Sequence, residues 1–442
     1  MAIHVADAGI DIQYTPKVSR TFAWIVFALT FGLLLSDYMS RQVLNAVFPV
    51  LKAEWGLSDT QLGSLNSIVS LLVGLLTFPL SLLADRWGRV RSIVLMAALW
   101  SLATAACAVA ENYGQMFAAR FFVGVGEAAY GSVGIAVIIA VFPPHLRSTL
   151  SGAFLAGGAF GSVLGMALGG FIGAKLGWRW AFGAMALFGV ALVILYALVV
   201  TEKRLNPDGP PRPGSAAASA RFPSLRGLLA GLFSSVSVCC AYAGSGLQLF
   251  MMGSMMAWLP SFANRYYALP PDRAGLFAAV FVLVGAVGMT GCGIITDRLS
   301  RNFATRKWSV AIAYSLVSSI ALIVGFHLPN GPAQLALLAV GMFFVAGTTG
   351  PVGAMVANLT HPAIHATAFA TWSLANNILG MAPGPFLTGA LADRVGLLGA
   401  LQWMPVVGLA AAATFSLGRR TYAGALQRIR AQQALENNGK TT

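Results

Sequence analysis

The chain has 442 residues, 57% hydrophobic and only 10% charged, with a mean hydropathy of +0.75; this excludes an ordinary soluble domain and implies a polytopic membrane protein. Lys and Arg number 28 against 14 Asp and Glu, a net charge of +14. In a soluble protein that excess would suggest nucleic acid. Here the basic residues fall between apolar runs, so membrane topology accounts for them and no nucleic-acid partner is expected.

Runs long enough to cross a bilayer, about 20 residues each, occupy 22–48, 59–84, 91–110, 115–142, 148–173 and 178–200. The first reads as a spanning helix rather than a cleavable signal, because it is too long and passes charged residues without a small-residue cleavage site. A polar stretch rich in Pro, Ser and Ala follows, NPDGPPRPGSAAASAR within 201–226, whose composition suits a linker and not a packed core. Six further runs occupy 228–259, 273–296, 308–328, 333–357, 363–391 and 397–417. The expected architecture is an all-α membrane protein of twelve helices: a six-helix bundle over 1–200, a linker over 201–227, a second bundle over 228–418 and a tail over 419–442. Twenty of the 28 basic residues lie on the side of the termini and six on the other, with Arg41 and Arg120 inside spans. Positive loops stay in the cytoplasm, so both termini are expected there.

Cys107, Cys239, Cys240 and Cys292 lie inside apolar runs without C-x-x-C spacing, which argues against a disulfide frame or a zinc site. No metal and no cofactor are expected.

Charges inside spans carry the functional signal. Asp37 and Arg41 are one turn apart in LLLSDYMSRQVLN, and Arg120 and Glu127 are seven residues apart in RFFVGVGEAAYG, so each pair shares a helix face. A lone charge at the bilayer centre costs at least roughly 2.5–3.5 kcal/mol, so such faces need partners or a water-filled cavity. These four residues are expected to form a polar centre. With both carboxyls ionised the four charges sum to zero; with both protonated the centre carries +2, which favours an anionic or zwitterionic ligand. Glu127, with Asp37, is the candidate proton carrier, because water and a nearby arginine act oppositely on a buried carboxyl. Arg41 and Arg120 do not lose their protons and are candidate charge partners or substrate anchors. A static buried ion pair is the competing reading.

The two halves repeat a turn. Ser81 to Arg91 reads SLLADRWGRVR and Gly293 to Asn302 reads GIITDRLSRN. Asp85, Arg86, Gly88 and Arg89 in the first, and Asp297 and Arg298 in the second, fall in the same short turn between apolar runs; a plain basic turn is one reading of it. Repeated halves are the trace of a fold that rocks about a midplane site.

On these residues the chain resembles the major facilitator superfamily over almost its whole length. The Asp85-Arg86-x-Gly88-Arg89 turn matches the family's loop signature, with Ser81 where glycine is usual; the copy at Asp297-Arg298 has Ser300 in place of the second glycine, and the resemblance implies that these turns act as a conformational latch. VGVGEAAY and SDYMSRQ resemble the fourth and first helices of the spinster-like branch. That branch usually reads Asn-Tyr-x-Asp-Arg, whereas here the acid stands three residues earlier, at Asp37, with Ser40 in the usual acidic place. The same segments resemble organic anion and cation symporters. The resemblance implies a proton-coupled secondary transporter, not an enzyme, acting as a monomer in the plasma (bacterial inner) membrane on a small molecule.

The second half offers no charge inside a span. Its candidate cavity residues are Tyr242, Gln248, Trp258, Trp372, Asn376 and Asn377, beside Tyr38, Ser40 and Tyr130 in the first half. Aromatic and amide groups among apolar ones suit an amphiphilic, lipid-like or anionic ligand, and interhelical glue is the alternative for each. A small polar organic anion moved with a proton is a second reading of the cargo. Met251, Met252, Met255 and Met256, at i, i+4 spacing, suit core filling over soft metal binding. The run Ala156 to Gly170 lacks the Gly-Pro of antiporters, with Met166 after Gly165, and is expected to serve close helix packing. An intramembrane enzyme would need a base and nucleophile in the membrane, yet His4, His145, His327, His361 and His365 lie in loops or near segment ends. A receptor would need a signalling module, which the tail from Arg419 to Thr442 does not resemble.

Overall fold

The computed structural model describes residues 18–205, 231–301, 303, 305–361 and 364–439. The linker expected over 201–227 lies outside them from residue 206 onward. The side chains of Asp85, Pro144, Ser148, Ala366 and residues 428–439 also lie outside them.

Among the described residues, ten helices are long and apolar enough to cross a membrane. They are α1 (Arg20–Trp55), α2 (Asp59–Trp87), α3 (Arg89–Val109), α4 (Tyr113–Val141), α5 (Pro144–Leu176), α6 (Trp178–Val199), α7 (Val236–Tyr266), α8 (Pro271–Ser300), α9 (Arg306–His327) and α10 (Pro332–Leu359). α11 (Thr367–Trp403) meets α12 (Val406–Gly439) at a bend of 45°, and together they make one further apolar stretch. The expected gap at 392–396 contains Gly396, where the backbone leaves the helix at φ 79°, but the chain resumes as helix to Trp403 and the last helix begins at Val406 rather than at 397.

The sequence punctuates these helices as physical chemistry requires. Ser58 begins α2 with a capping box: Gln61 N donates to Ser58 Oγ at 3.1 Å and Ser58 N donates to Gln61 Oε1 at 3.0 Å, which satisfies two orphan donors. Asn112 and Ser235 cap α4 and α7 with a side-chain oxygen alone, and prolines open α5, α8 and α10, where a missing N–H costs nothing. Three helices break at a common depth. α4 turns at Ala128 and Ala129 directly after Glu127, α10 breaks between Val345 and Thr349, and α11 carries a π-helical turn over Asn377–Met381. Interruptions of this kind are tolerated at membrane depth where the backbone is buried in protein or lines a cavity.

α1 to α6 pack on one another and α7 to α12 do the same, while α5 with α8, α2 with α11 and α1 with α7 join the two bundles. Each bundle has its own apolar core, one around Trp100, Tyr130 and Phe154, the other around Trp308, Val352 and Phe415. A third and larger core crosses between them. It lies at the face away from the chain ends, here the distal face, where the rings of Phe48 and Trp258 stand 5.5 Å apart. Leu102, Val109, Leu187 and Leu198 are among many outward-facing apolar side chains, an arrangement stable only in lipid. The core therefore closes the distal face and leaves the bundles apart toward the terminal face.

Candidate functional site

A cavity of about 1050 Å³ lies between the bundles. Its wall is formed by the middle parts of α1, α2, α4, α5, α7 and α8, and it includes the three interrupted stretches of α4, α10 and α11.

α1 brings three predicted residues to this wall: Asp37, Tyr38 and Arg41. α1 reaches this position because α5 packs against its backbone. A Cβ at Gly161 would stand 2.6 Å from Leu35 O, and one at Gly165 would stand 2.7 Å from Met39 O, so only glycine allows this approach. The glycine run is thus a packing surface, as expected.

α4 delivers Glu127 to the same place. Arg41 Nε lies 2.5 Å from Glu127 Oε2 and 3.5 Å from Asp37 Oδ1, and its guanidinium carbon is 5.3 Å from the centre of the Tyr38 ring. One guanidinium thus faces both carboxylates. Two buried carboxylates sharing one cation are costly as structure. Thr77 Oγ1 donates to Ala128 O at 2.6 Å and satisfies a carbonyl freed by the break beside Glu127.

Arg120 departs from the expectation. It is wholly buried and absent from the cavity wall. Its Nη1 donates to Ser40 O at 3.2 Å and its Nε to Leu65 O at 3.3 Å, so it fastens the backbones of α1 and α2. Seven residues of helix are about 10 Å of rise, enough to put Arg120 beyond the chamber while it shares the face of Glu127. Among the described residues, the charged side chains on the wall are therefore Asp37, Arg41 and Glu127. Two ionised carboxylates with Arg41 leave −1, and one proton brings the wall to neutrality, which replaces the four-charge sum.

Ser40 is also off the wall, with its hydroxyl donated to Ser36 O at 2.9 Å within α1. Asp37, not the residue at the usual acidic place, meets Arg41. Tyr130 is buried and donates to Thr30 O at 2.6 Å. Of the second-half candidates, Asn376 and Asn377 line the cavity. Trp372 and Asn376 both bond Ser245 Oγ, at 2.9 and 2.8 Å, so Trp372 supports the wall from behind. Gln248 bonds Ser318 at 2.8 Å inside the second bundle, Trp258 donates to Pro385 O at 3.1 Å in the distal seam, and Tyr242 is buried in the core. None of these three reaches the cavity.

Sequence reasoning missed several wall residues. Gln42, Asn66, Ser70, Thr77, Ser132 and Thr349 add polar groups, and Met252 and Met256 line the chamber while Met251 and Met255 pack in the core. The i, i+4 spacing of the methionines signalled a shared face without saying what that face meets. On the opposite wall α8 presents mainly apolar side chains, among them Val282, Leu283, Val287 and Met289, while Thr290, Thr349, Asn376 and Asn377 add polar groups to that side.

At the repeated turn, Gly88 takes φ 96° between α2 and α3, a conformation that favours glycine. Glu202 Oε1 sits over it and accepts Val90 N at 2.8 Å. Arg89 Nη1 donates to Ala136 O at 3.2 Å, and Arg86 is exposed. The Asp85 side chain lies outside the described residues. Asp297 and Arg298 are exposed at the end of α8.

A chamber of this size between two bundles, charged on one wall and largely apolar along α8 on the other, is the form of a membrane carrier. The chain belongs to the major facilitator superfamily, whose model, described as Major Facilitator Superfamily, matches residues 30–385; the family is one of transporters. It is 24% identical over 395 residues to protein spinster of Drosophila melanogaster, covering 86% of this chain and 63% of that protein. It is 27% identical to the probable sphingolipid transporter spinster homolog 2 of Arabidopsis thaliana, covering 78% of this chain and 72% of that one. The probable L-galactonate transporter of Escherichia coli (strain K12) is also 27% identical, over 75% of this chain and 74% of that one. In fold, the chain superposes with a TM-score of 0.81 on a bacterial homologue of the human lysosomal transporter spinster, crystallised inward-facing and unoccupied. That match has 19% identity and covers 92% of this chain and 99% of that one.

Proposed function

We propose that this chain is a proton-coupled secondary transporter that moves a small amphiphilic organic molecule, lipid-like or carrying an acidic group, by alternating access. The observation that carries the reading is Arg41 held by charge against Glu127 and Asp37 on the cavity wall. Arg41 neutralises one carboxylate, so a proton on the other, or a ligand anion, changes which groups it holds. A proton on Glu127 releases Arg41 toward a ligand; departure of the ligand returns Arg41 and expels the proton. Asp37 serves the same exchange from α1.

The apolar wall of α8 and the methionines of α7 suit a hydrocarbon portion, and the α1 and α4 wall suits a polar or acidic head. The relatives named for sphingolipid transport accord with that cargo, and the relative named for L-galactonate accords with the second reading, a small polar anion. The apolar wall favours the first.

The basic loops favour cytoplasmic termini, and with that orientation the chamber faces inward in this state. The bundles over 1–200 and 228–418 rock about it, joined by the linker, and the chain acts as a monomer in the plasma (bacterial inner) membrane. Asp85, Arg86, Gly88 and Arg89, with Asp297 and Arg298, serve as the terminal-face latch.

The test is a ligand screen by thermal stabilisation in detergent, followed by flux into sealed proteoliposomes under a pH gradient. Amphiphilic anions should stabilise the chain and accumulate unchanged. Binding without flux would indicate a receptor, and an altered product would indicate an enzyme; either would overturn the proposal.

A further inference from the structure

On the distal face, a second charged assembly joins the two bundles, well away from the cavity wall. α2 begins at Asp59, whose own N–H and the N–H of Thr60 donate to the two carboxylate oxygens of Asp393 at 2.7 and 2.9 Å; the Thr60 hydroxyl adds a bond of 2.5 Å. Asp393 belongs to α11, so the orphan donors of a helix in one bundle are satisfied by a carboxylate of the other. That places an anion at a helix N-terminus, where the exposed N–H groups and the dipole both favour it.

The Asp59 carboxylate is buried, 3% exposed, and is forked by Arg265 at the end of α7. Nη1 donates to Oδ2 at 2.9 Å and Nη2 to Oδ1 at 2.6 Å. Lys52, in the bundle of Asp59 itself, donates to Oδ1 at 2.6 Å. The backbones are close enough that a Cβ at Gly389 would stand 2.8 Å from the carbonyl carbon of Asp59.

We propose that Asp59, Arg265 and Asp393 are the positioning residues that lock the distal face shut, and that Lys52 makes the lock releasable. This rests on the alternating-access reading. Opening the face pulls Arg265 and Asp393 away from α2 and removes every cross-bundle partner of Asp59 described here. A buried carboxylate stripped of its partners resists that step. Lys52 travels with Asp59 and keeps one ion pair intact, and in the closed form it shares Asp59 Oδ1 with the like charge of Arg265; together these outweigh its attraction to Asp393 and lower the cost of the open state relative to the closed one. The two cations on one carboxylate thus have opposite effects on the equilibrium: Arg265 favours closed, Lys52 favours open.

The test uses the full chain in lipid nanodiscs, with its four native cysteines replaced and spin labels at Ala53→Cys on α1 and Ala333→Cys on α10, both exposed at the distal end. Pulsed dipolar distances then give the ratio of open to closed forms across pH and ligand conditions. Arg265→Gln and the near-isosteric Asp393→Asn should each raise that ratio by roughly tenfold or more, the scale of losing a charge-assisted hydrogen bond. Lys52→Met should lower it. If the parent chain opens but these variants leave the ratio unchanged, or if Lys52→Met and Arg265→Gln shift it in the same direction, the lock is refuted while alternating access stands. If the parent shows a single closed distance under every condition, alternating access fails and the lock fails with it.

Discussion

Replacing Glu127 with Gln keeps the outline of the side chain and removes its charge and its exchangeable proton. Arg41 is the one cation that the described wall sets against two carboxyls, at 2.5 and 3.5 Å from its Nε. Since one guanidinium neutralises one carboxylate, the wall needs one proton for neutrality, and one coupled proton per cycle is the stoichiometry expected for a neutral or zwitterionic ligand. A unit of pH is worth about 1.4 kcal/mol per proton, so a gradient of two units sustains accumulation of roughly a hundredfold. Glu127→Gln should bring that ratio to about one, whether the protein runs as symporter or antiporter. The assay is radiolabelled ligand in proteoliposomes, with counterflow exchange at equal pH as the control. Counterflow should persist, because the rest of the wall is unaltered. Undiminished pH-driven accumulation would remove Glu127 from coupling, and loss of counterflow together with accumulation would show that Glu127 holds the fold instead.

Three further outcomes are expected. Arg41→Ala should weaken an anionic amphiphile by roughly 10- to 100-fold, the scale of about 1.5–3 kcal/mol for a bond to a charged group, and change an uncharged analogue far less; titration calorimetry reads both, and equal losses would deny Arg41 the role of anchor. Gly161→Ala forces a methyl against Leu35 O, an overpacking of about 1–3 kcal/mol, whereas Gly152→Ala enters open space. Thermal unfolding in detergent should therefore fall for the first and not for the second, and equal melting would contradict the close seam between α1 and α5. Asp85→Asn should change the balance of the two access states without abolishing binding, and identical accessibility labelling in both proteins would count against the latch.

Much of the fold was legible because bilayer thickness imposes apolar runs of one length, and composition alone exposes them. The packing role of the glycine run was legible for a local reason too. Charges inside apolar runs pointed to Asp37, Arg41 and Glu127. Depth was not legible: periodicity puts Arg120 on the face of Glu127 but says nothing of what stands ten ångströms further along the axis, where two backbone carbonyls claim it. Tyr242, Gln248 and Trp258 were misplaced for a related reason, since an isolated polar group in a span serves equally well between helices of one bundle as on a cavity wall.

The distal assembly was beyond reach of any local pattern. Asp59 and Asp393 meet across 334 residues of chain. The available signal was indirect: both are acids at the ends of apolar runs in a protein with few acids. Reading it required knowing which helix ends face one another, and that comes only from packing.

The most direct test of the central claim, that Glu127 exchanges a proton as Arg41 exchanges partners, is infrared difference spectroscopy of the protein in lipid on adding ligand. The account predicts a change in the carbonyl stretch of a protonated carboxyl that is present in the parent chain and absent in Glu127→Gln. A band that survives that substitution unaltered, or a parent spectrum with no carboxyl change on ligand binding, would contradict it.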